Sequence, residues 1–261
     1  MWRFGGARLW RSAYLRAVRS AFATVPLYRE TWALSGRTEP VLVPGKTGVD
    51  GGALSADLVA RTLVDTVPLA GGSAVPDAAR GLGGLLPHAR GGSADLVVVV
   101  DADIARPPAD LSSGTRGCLL HPDSIIGSEQ HPALREITDT LRRNESVLAV
   151  GDDKALDTLA TALRAEPEPR WSRVPHRRLD QLDGGPYGLL HDPLLGYLGV
   201  LRDCGRWHVD WRRVHVRSTT GGLAFTVLGR TSPRLVDVLA CGGVHGEVAP
   251  CPRHGTPVVL T

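Results

Sequence analysis

The apolar positions of this chain follow two different periods. From Arg8 to Thr24, Trp10, Tyr14, Ala17 and Ala21 recur at helical spacing with Arg11, Arg16 and Arg19 between them. That pattern predicts an amphipathic helix packed on the body of the protein. Val25-Pro26-Leu27-Tyr28-Arg29-Glu30 opens a second short helix with proline near its first turn. A Gly/Pro-rich loop follows over 36–52, then a further amphipathic stretch over 53–67 carrying Leu54, Leu58, Leu63 and Val64. Residues 70–93 are too rich in Gly, Ala and Pro for an element to be assigned. Leu96-Val97-Val98-Val99-Val100 is a continuous apolar run ending at Asp101 and Asp103, the signature of a strand buried on both faces.

A helix over 133–144, a second buried strand over 146–150 and a helix over 153–165, capped by Asp152 or Asp153, come next. Strand, helix, strand, helix in this order argues for an α/β unit with a parallel sheet. From Pro167 helical periodicity disappears. Short strands at 187–190, 214–217, 223–228, 235–239 and 257–260, separated by Gly and Pro, read as antiparallel hairpins. The expected organisation is therefore an α/β core over 1–175 and a smaller β-rich part over 176–261.

Composition narrows the partners. The 261 residues carry a formal charge of +3, with no run of like charges and no aromatic-basic stripe, which argues against nucleic acid. The cluster Trp207, His208, Asp210, Trp211, Arg212 and Arg213 fits a hairpin better, with both tryptophans packed inward. No stretch has the length and apolarity of a membrane span, and arginines interrupt the N-terminal segment too often for a signal peptide. Four cysteines without a disulfide framework suit a reducing cytoplasm.

Two Cys/His doublets carry the clearest chemistry: Cys204-Gly-Arg-Trp-His208 and Cys251-Pro-Arg-His254. Each holds a thiolate and an imidazole within about one turn of backbone. Together they supply the four soft ligands of a closed tetrahedral zinc site. The bland alternative is that two of the four are ordinary core residues. Cys241, followed by two glycines, has three readings: an exposed nucleophile, a spare ligand replacing His208 or His254, or a small apolar filler. Cys118 reads as filler.

Between the first buried strand and the next helix lies Asp110-Leu111-Ser112-Ser113-Gly114-Thr115-Arg116-Gly117, a string of small and hydroxyl residues of the kind a phosphate cradle needs. Together with Val25-Pro26-Leu27-Tyr28-Arg29, with Tyr187-Gly188, with Gly222-Leu223-Ala224-Phe225-Thr226, and with the two Cys/His doublets, this string resembles the phenylacetate–CoA ligase-like adenylate-forming enzymes. The resemblance spans most of the chain through short motifs. It implies the family's parallel-sheet nucleotide-binding core over 1–175, with Ser112, Ser113, Gly114, Thr115, Gly117, Tyr187 and Gly188 as cofactor-binding residues. ATP or a CoA thioester would be the cofactor, and zinc would sit in the tail. The departures are as informative. No lysine follows Lys154, His191 stands where the family has a magnesium-binding glutamate, and Leu235–Cys241 replaces the ribose-binding motif. Those groups normally offset phosphate charge, so their loss argues against independent ATP-driven activation.

His191-Asp192-Pro193 admits a general base or a simple turn. His191, Asp192 and Cys241 are the candidate catalytic residues. The expected protein binds an acyl or aromatic carboxylate, as thioester or adenylate, in a cleft between Ser112–Gly117 and Tyr187–His191. It would assist acyl transfer or amide formation in a specialised biosynthetic pathway. The alternatives are a non-catalytic scaffold or partner subunit, and an ATP-dependent ligase completed by a partner chain. A partner protein or a homo-oligomer would fit any of the three.

Overall fold

The computed structural model describes residues 6–33, 52–89, 94–125, 131–163, 170–182, 188–229, 231–240 and 243–261. The helices are α1 (Ala7–Thr24), α2 (Pro26–Ala33), α3 (Ala56–Arg61), α4 (Leu82–Leu85), α5 (Pro132–Arg142) and α6 (Asp153–Ala162). The strands of the first half are β1 (Leu96–Val100), β2 (Arg116–Leu120), β3 (Val147–Gly151), β4 (Trp171–Arg177), β5 (Leu189–Asp192) and β6 (Gly196–Leu201). Those of the second are β7 (Trp207–Val209), β8 (Val214–Thr219), β9 (Gly222–Val227), β10 (Val238–Leu239), β11 (Glu247–Pro250) and β12 (Pro257–Leu260). The fold is mixed α/β. It divides into two compact units, Asp77–Gly205 and a discontinuous one formed by Met1–Pro76 with Arg206–Thr261. The division expected at 175/176 falls inside β4, a strand whose alternating pattern the proline at 175 obscures.

In Asp77–Gly205 the strands run in the order β2-β1-β3-β4-β5-β6. Pairing is parallel from β2 through β5 and antiparallel between β5 and β6. β1 is central for the reason its composition gives: an uninterrupted apolar run can be covered on both faces. Leu96, Val98 and Val100 pack with Leu134, Ile137 and Leu141 of α5 and Leu156 and Leu159 of α6. Val97 and Val99 pack on the other face with Leu82 and Leu85. α5 starts with Pro132 after His131, whose Nδ1 accepts from the Ala133 amide at 3.3 Å. α6 is capped by Asp152, whose carboxylate accepts from the Ala155 amide at 2.7 Å.

In the other unit, β8, β9 and β10 form one antiparallel sheet, and β7, β12 and β11 pair antiparallel as well. α1 is fixed to the first of these sheets by its buried stripe. Trp10 donates its indole N–H to the Val214 carbonyl at 2.8 Å, and Tyr14 donates its hydroxyl to the Asp237 carboxylate at 2.7 Å. Asp237 is fully buried and sits at φ 51°, a left-handed conformation rare for a residue with a side chain. Arg217 clamps it with two hydrogen bonds of 3.0 and 2.9 Å, and Thr226 adds a third donor at 3.3 Å. Tyr28 of α2 donates to the Arg234 carbonyl at 3.0 Å and accepts from the Val236 amide at 2.7 Å, so the first helices hold the strand leading into β10. Trp207 is buried in β7 as expected, whereas Trp211 lies half-buried in the following turn with the Arg212 guanidinium over its ring at 5.6 Å. Among the described residues, no helix is long and apolar enough to cross a membrane.

Candidate functional site

Cys204, His208, Cys251 and His254 come together. One ligand atom from each lies within 4.8 Å of all the others. Zinc bonds of about 2.0–2.3 Å in a tetrahedron give ligand separations of roughly 3.3–3.8 Å, so the four donors fit one ion. The local sequence explains the convergence. Gly205 takes φ 70° just after Cys204, and Gly255 takes φ 68° just after His254, closing two tight turns. Register sets His208 of β7 opposite Val258 of β12, beside the turn that joins β11 to β12. Within that turn Cys251 Sγ is 3.5 Å from His254 Nδ1, and the Cys251 amide donates to the Thr256 carbonyl at 2.8 Å. His208 Nδ1 is 2.7 Å from the Thr256 hydroxyl, which orients the ring. The imidazoles of His208 and His254 meet edge to face at 4.9 Å. Cys251 and His208 are buried, Cys204 and His254 half-buried, and the two cysteines do not form a disulfide. Two thiols and two imidazoles in this array could hold a metal ion and are consistent with zinc.

A second group of titratable side chains gathers at the carboxyl ends of β1, β4 and β5. Asp101 follows β1, His176 lies near the end of β4 and His191 near the end of β5. Asp101 Oδ1 accepts from the amides of Asp103 and Ile104 at 2.6 and 3.2 Å, a turn that aims Oδ2 at His176 Nε2, 3.3 Å away. His176 Nδ1 is 3.2 Å from the hydroxyl of Tyr197 on β6. The rings of His176 and His191 stack at 4.7 Å, 11° from parallel. His191 Nε2 is 3.0 Å from the Ala78 carbonyl. A carbonyl only accepts, so Nε2 carries the proton and Nδ1 is the acceptor nitrogen. Burial holds both imidazoles neutral, with Arg177 adding repulsion at His176, whose pKa is pushed down to about 4. Burial likewise raises the Tyr197 phenol well above its ordinary value.

Gly196 makes this packing possible. It takes φ 82°, and a Cβ there would stand 2.6 Å from the Arg80 carbonyl oxygen. Only glycine lets the β5–β6 turn approach the segment that supplies the Ala78 acceptor. Asp192, expected to be catalytic, accepts from the Leu194 and Leu195 amides at 2.9 and 3.1 Å in that same turn.

The Ser/Gly loop lies at the opposite end of the sheet. Arg116 begins β2 opposite Leu96, the first residue of β1, so Ser112–Thr115 precede the amino ends of the parallel strands. His191 lies at their carboxyl ends, and a five-residue strand spans about 15 Å. The expected cleft between Ser112–Gly117 and His191 is therefore not formed by these residues. The cause is β2: the sequence Arg116–Leu120 reads as loop but continues the sheet, so the Ser/Gly turn leads into a strand and not into a helix N-terminus. The turn's polar groups also satisfy one another. The Thr115 amide donates to the Ser112 carbonyl at 3.0 Å, the two hydroxyls are 3.0 Å apart, and Thr115 Oγ1 donates to the Ala94 carbonyl at 3.1 Å. Ser113 and Gly114 are exposed at its tip. Gly117 is the second residue of β2, where a Cβ would meet the Pro108 carbonyl oxygen at 2.7 Å, so its role is close packing.

Gly188 is buried just before β5, its carbonyl accepting from the Leu201 amide at 2.9 Å. Tyr187, Cys241 and, apart from Gly52, the loop expected over 36–52 lie outside the described residues. Cys118 is a core residue of β2, and burial pushes its thiol up to about 12. Sequence reasoning passed over Asp101, His176, Tyr197 and Thr256 as functional residues. A signal existed for the first: a carboxylate directly after a central strand stands where open α/β sheets place their ligand sites. No family model matches this chain, and no curated protein matches it either.

Proposed function

We propose that this chain is a diverged relative of the phenylacetate–CoA ligase-like enzymes that handles an acyl group, delivered as a thioester or adenylate, at the carboxyl ends of β1, β4 and β5. The reading is carried by one observation: His191, which occupies the motif position of the family's acidic residue, faces Asp101 and His176 at the end of the sheet where α/β proteins bind ligands. The Cys204/His208/Cys251/His254 quartet holds structural zinc in this reading and fixes the β7 and β11–β12 turns. Acyl transfer from a thioester to an amine forms a C–N bond as the C–S bond breaks, and the amine's proton leaves with the thiol. The chain's part is to hold the two reactants in line and exclude water. Independent ATP-driven activation is disfavoured, because the Ser112 and Thr115 hydroxyls hydrogen-bond within the fold and the Ser/Gly turn leads into a strand rather than a helix N-terminus.

The test is thermal stability with millimolar ATP and magnesium in one arm and a short-chain or aromatic acyl-CoA in the other, followed by transfer to hydroxylamine. Stabilisation by the thioester alone, lost in Asp101→Asn, supports the reading. A folded, metal-replete protein that responds to neither ligand overturns it in favour of a non-catalytic partner subunit. That second reading is favoured by Asp192 holding the β5–β6 turn and by the Ser112 and Thr115 hydroxyls pairing with each other. A shift with ATP would favour the ligase completed by another chain.

A further inference from the structure

We infer that Asp101, His176 and His191 form a second metal site, distinct from the Cys/His quartet and built for a divalent transition ion with an open coordination position. The inference rests on geometry alone and is independent of the acyl-transfer reading. One carboxylate oxygen and one nitrogen from each imidazole lie within 4.8 Å of one another. The Asp101 Oδ2 to His176 Nε2 separation of 3.3 Å is that of two neighbouring ligands on one ion, which bonds of about 2.0–2.2 Å at a tetrahedral angle place roughly 3.3 Å apart.

The outer contacts argue the same way. A ligating histidine normally donates its other ring N–H to a carbonyl, carboxylate or hydroxyl. His191 donates Nε2–H to the Ala78 carbonyl at 3.0 Å, which turns the Nδ1 lone pair away from the backbone. His176 has Tyr197 Oη 3.2 Å from Nδ1, so Nε2 is its ligand nitrogen once Nδ1–H donates to the phenol. Asp101 is fixed by two backbone amides through the oxygen that does not face His176. All three ligands therefore have their second polar atom occupied before an ion arrives. Their supports come from three strands of one parallel sheet, an antiparallel neighbour and the turn at Ala78, which is a rigid frame.

Two imidazoles and one carboxylate are a borderline donor set, suited to Zn²⁺, Co²⁺, Fe²⁺ or Mn²⁺ rather than to Mg²⁺ or Ca²⁺. Three protein ligands leave a position for water or a substrate oxygen, in contrast to the closed quartet. Both histidines are more than nine-tenths buried, and the Asp101 side chain keeps 12% of its surface.

The full chain, stripped with a chelator, reconstituted with Zn²⁺ or Co²⁺ and freed of excess metal, is assayed for bound metal by elemental analysis. Two equivalents per chain are expected in the wild type, one in Asp101→Asn/His176→Gln, and one in Cys204→Ser/Cys251→Ser. A single equivalent in the wild type, or two retained in Asp101→Asn/His176→Gln, overturns the inference. Tyr197→Phe keeps every ligand and guards against a misfolded double variant. It should weaken the second equivalent by about 10–100-fold in chelator competition while leaving the first unchanged. Equal affinity for both equivalents in wild type and Tyr197→Phe also overturns it.

Discussion

Asp237→Asn is the most informative stability test of the structure. The Asp237 carboxylate has no exposure, and its oxygens accept from Arg217 Nε at 3.0 Å, Arg217 Nη2 at 2.9 Å, Tyr14 Oη at 2.7 Å and Thr226 Oγ1 at 3.3 Å. Asparagine keeps the side-chain shape and tolerates the 51° φ angle, so the substitution isolates the charge. Removing one member of a buried ion pair costs about 3–5 kcal/mol, because the guanidinium is left uncompensated. At about 2–4 °C per kcal/mol for a chain of this size class, the unfolding midpoint should fall by roughly 6–20 °C. Tyr14→Phe removes a single bond to the charge and should cost less, about 1.5–3 kcal/mol. Urea unfolding of Asp237→Asn, Arg217→Met and the double variant closes the cycle. The double should lose clearly less than the sum, since neither charge is then stranded. A loss under about 1 kcal/mol for Asp237→Asn, or strict additivity in the cycle, would refute the reasoning.

Three further outcomes are expected. His215 stacks on Tyr14 at 4.1 Å, and burial, with Arg217 adding repulsion, pushes its pKa down to about 3. Its folded value lies below the unfolded one, so its contribution is complete above about pH 6.5 and is lost at up to about 1.4 kcal/mol per unit as pH falls toward 3. His215→Phe should flatten that part of the stability profile, and an unchanged slope would remove His215 as its source. Chelation should lower the thermal midpoint of the wild type, and Cys204→Ser should cost several kcal/mol, a fraction of the roughly 10–16 kcal/mol of structural zinc binding, while shrinking the chelator response to what the Asp101/His176/His191 site contributes. A chelator-insensitive wild type that contains no metal counts against the quartet. Gly196→Ala adds a Cβ 2.6 Å from the Arg80 carbonyl at φ 82° and should cost about 1–3 kcal/mol in denaturant unfolding. A neutral result would mean the turn relaxes freely.

What the sequence made legible was whatever rests on local pattern. α1, β1, β3, α5 and β12 follow directly from periodicity and caps, and the four residues of the Cys/His quartet from the pairing of Cys with His at short spacing. What escaped depends on partners far along the chain. β2 is only five residues and contains glycine and arginine, so nothing local separates it from a loop; its identity comes from register with β1. β4 carries a proline and two arginines, and His176 draws its meaning from Asp101 and Tyr197, which are remote in sequence. The Ser/Gly loop shows the converse. Its composition suits anion binding, but which end of a sheet it occupies is decided by the element that follows.

The discontinuous unit imposes an order on biosynthesis. Trp10 and Tyr14 close on Val214 and Asp237, more than 200 residues later, whereas Asp77–Gly205 contains every strand of its own core. During translation the middle of the chain can condense as soon as it emerges, while the amphipathic face of α1 waits for its sheet. Until the last strands are made, that face is a natural client for a chaperone, and substitutions in β8 or around Asp237 should lower cellular yield out of proportion to their effect on the finished molecule.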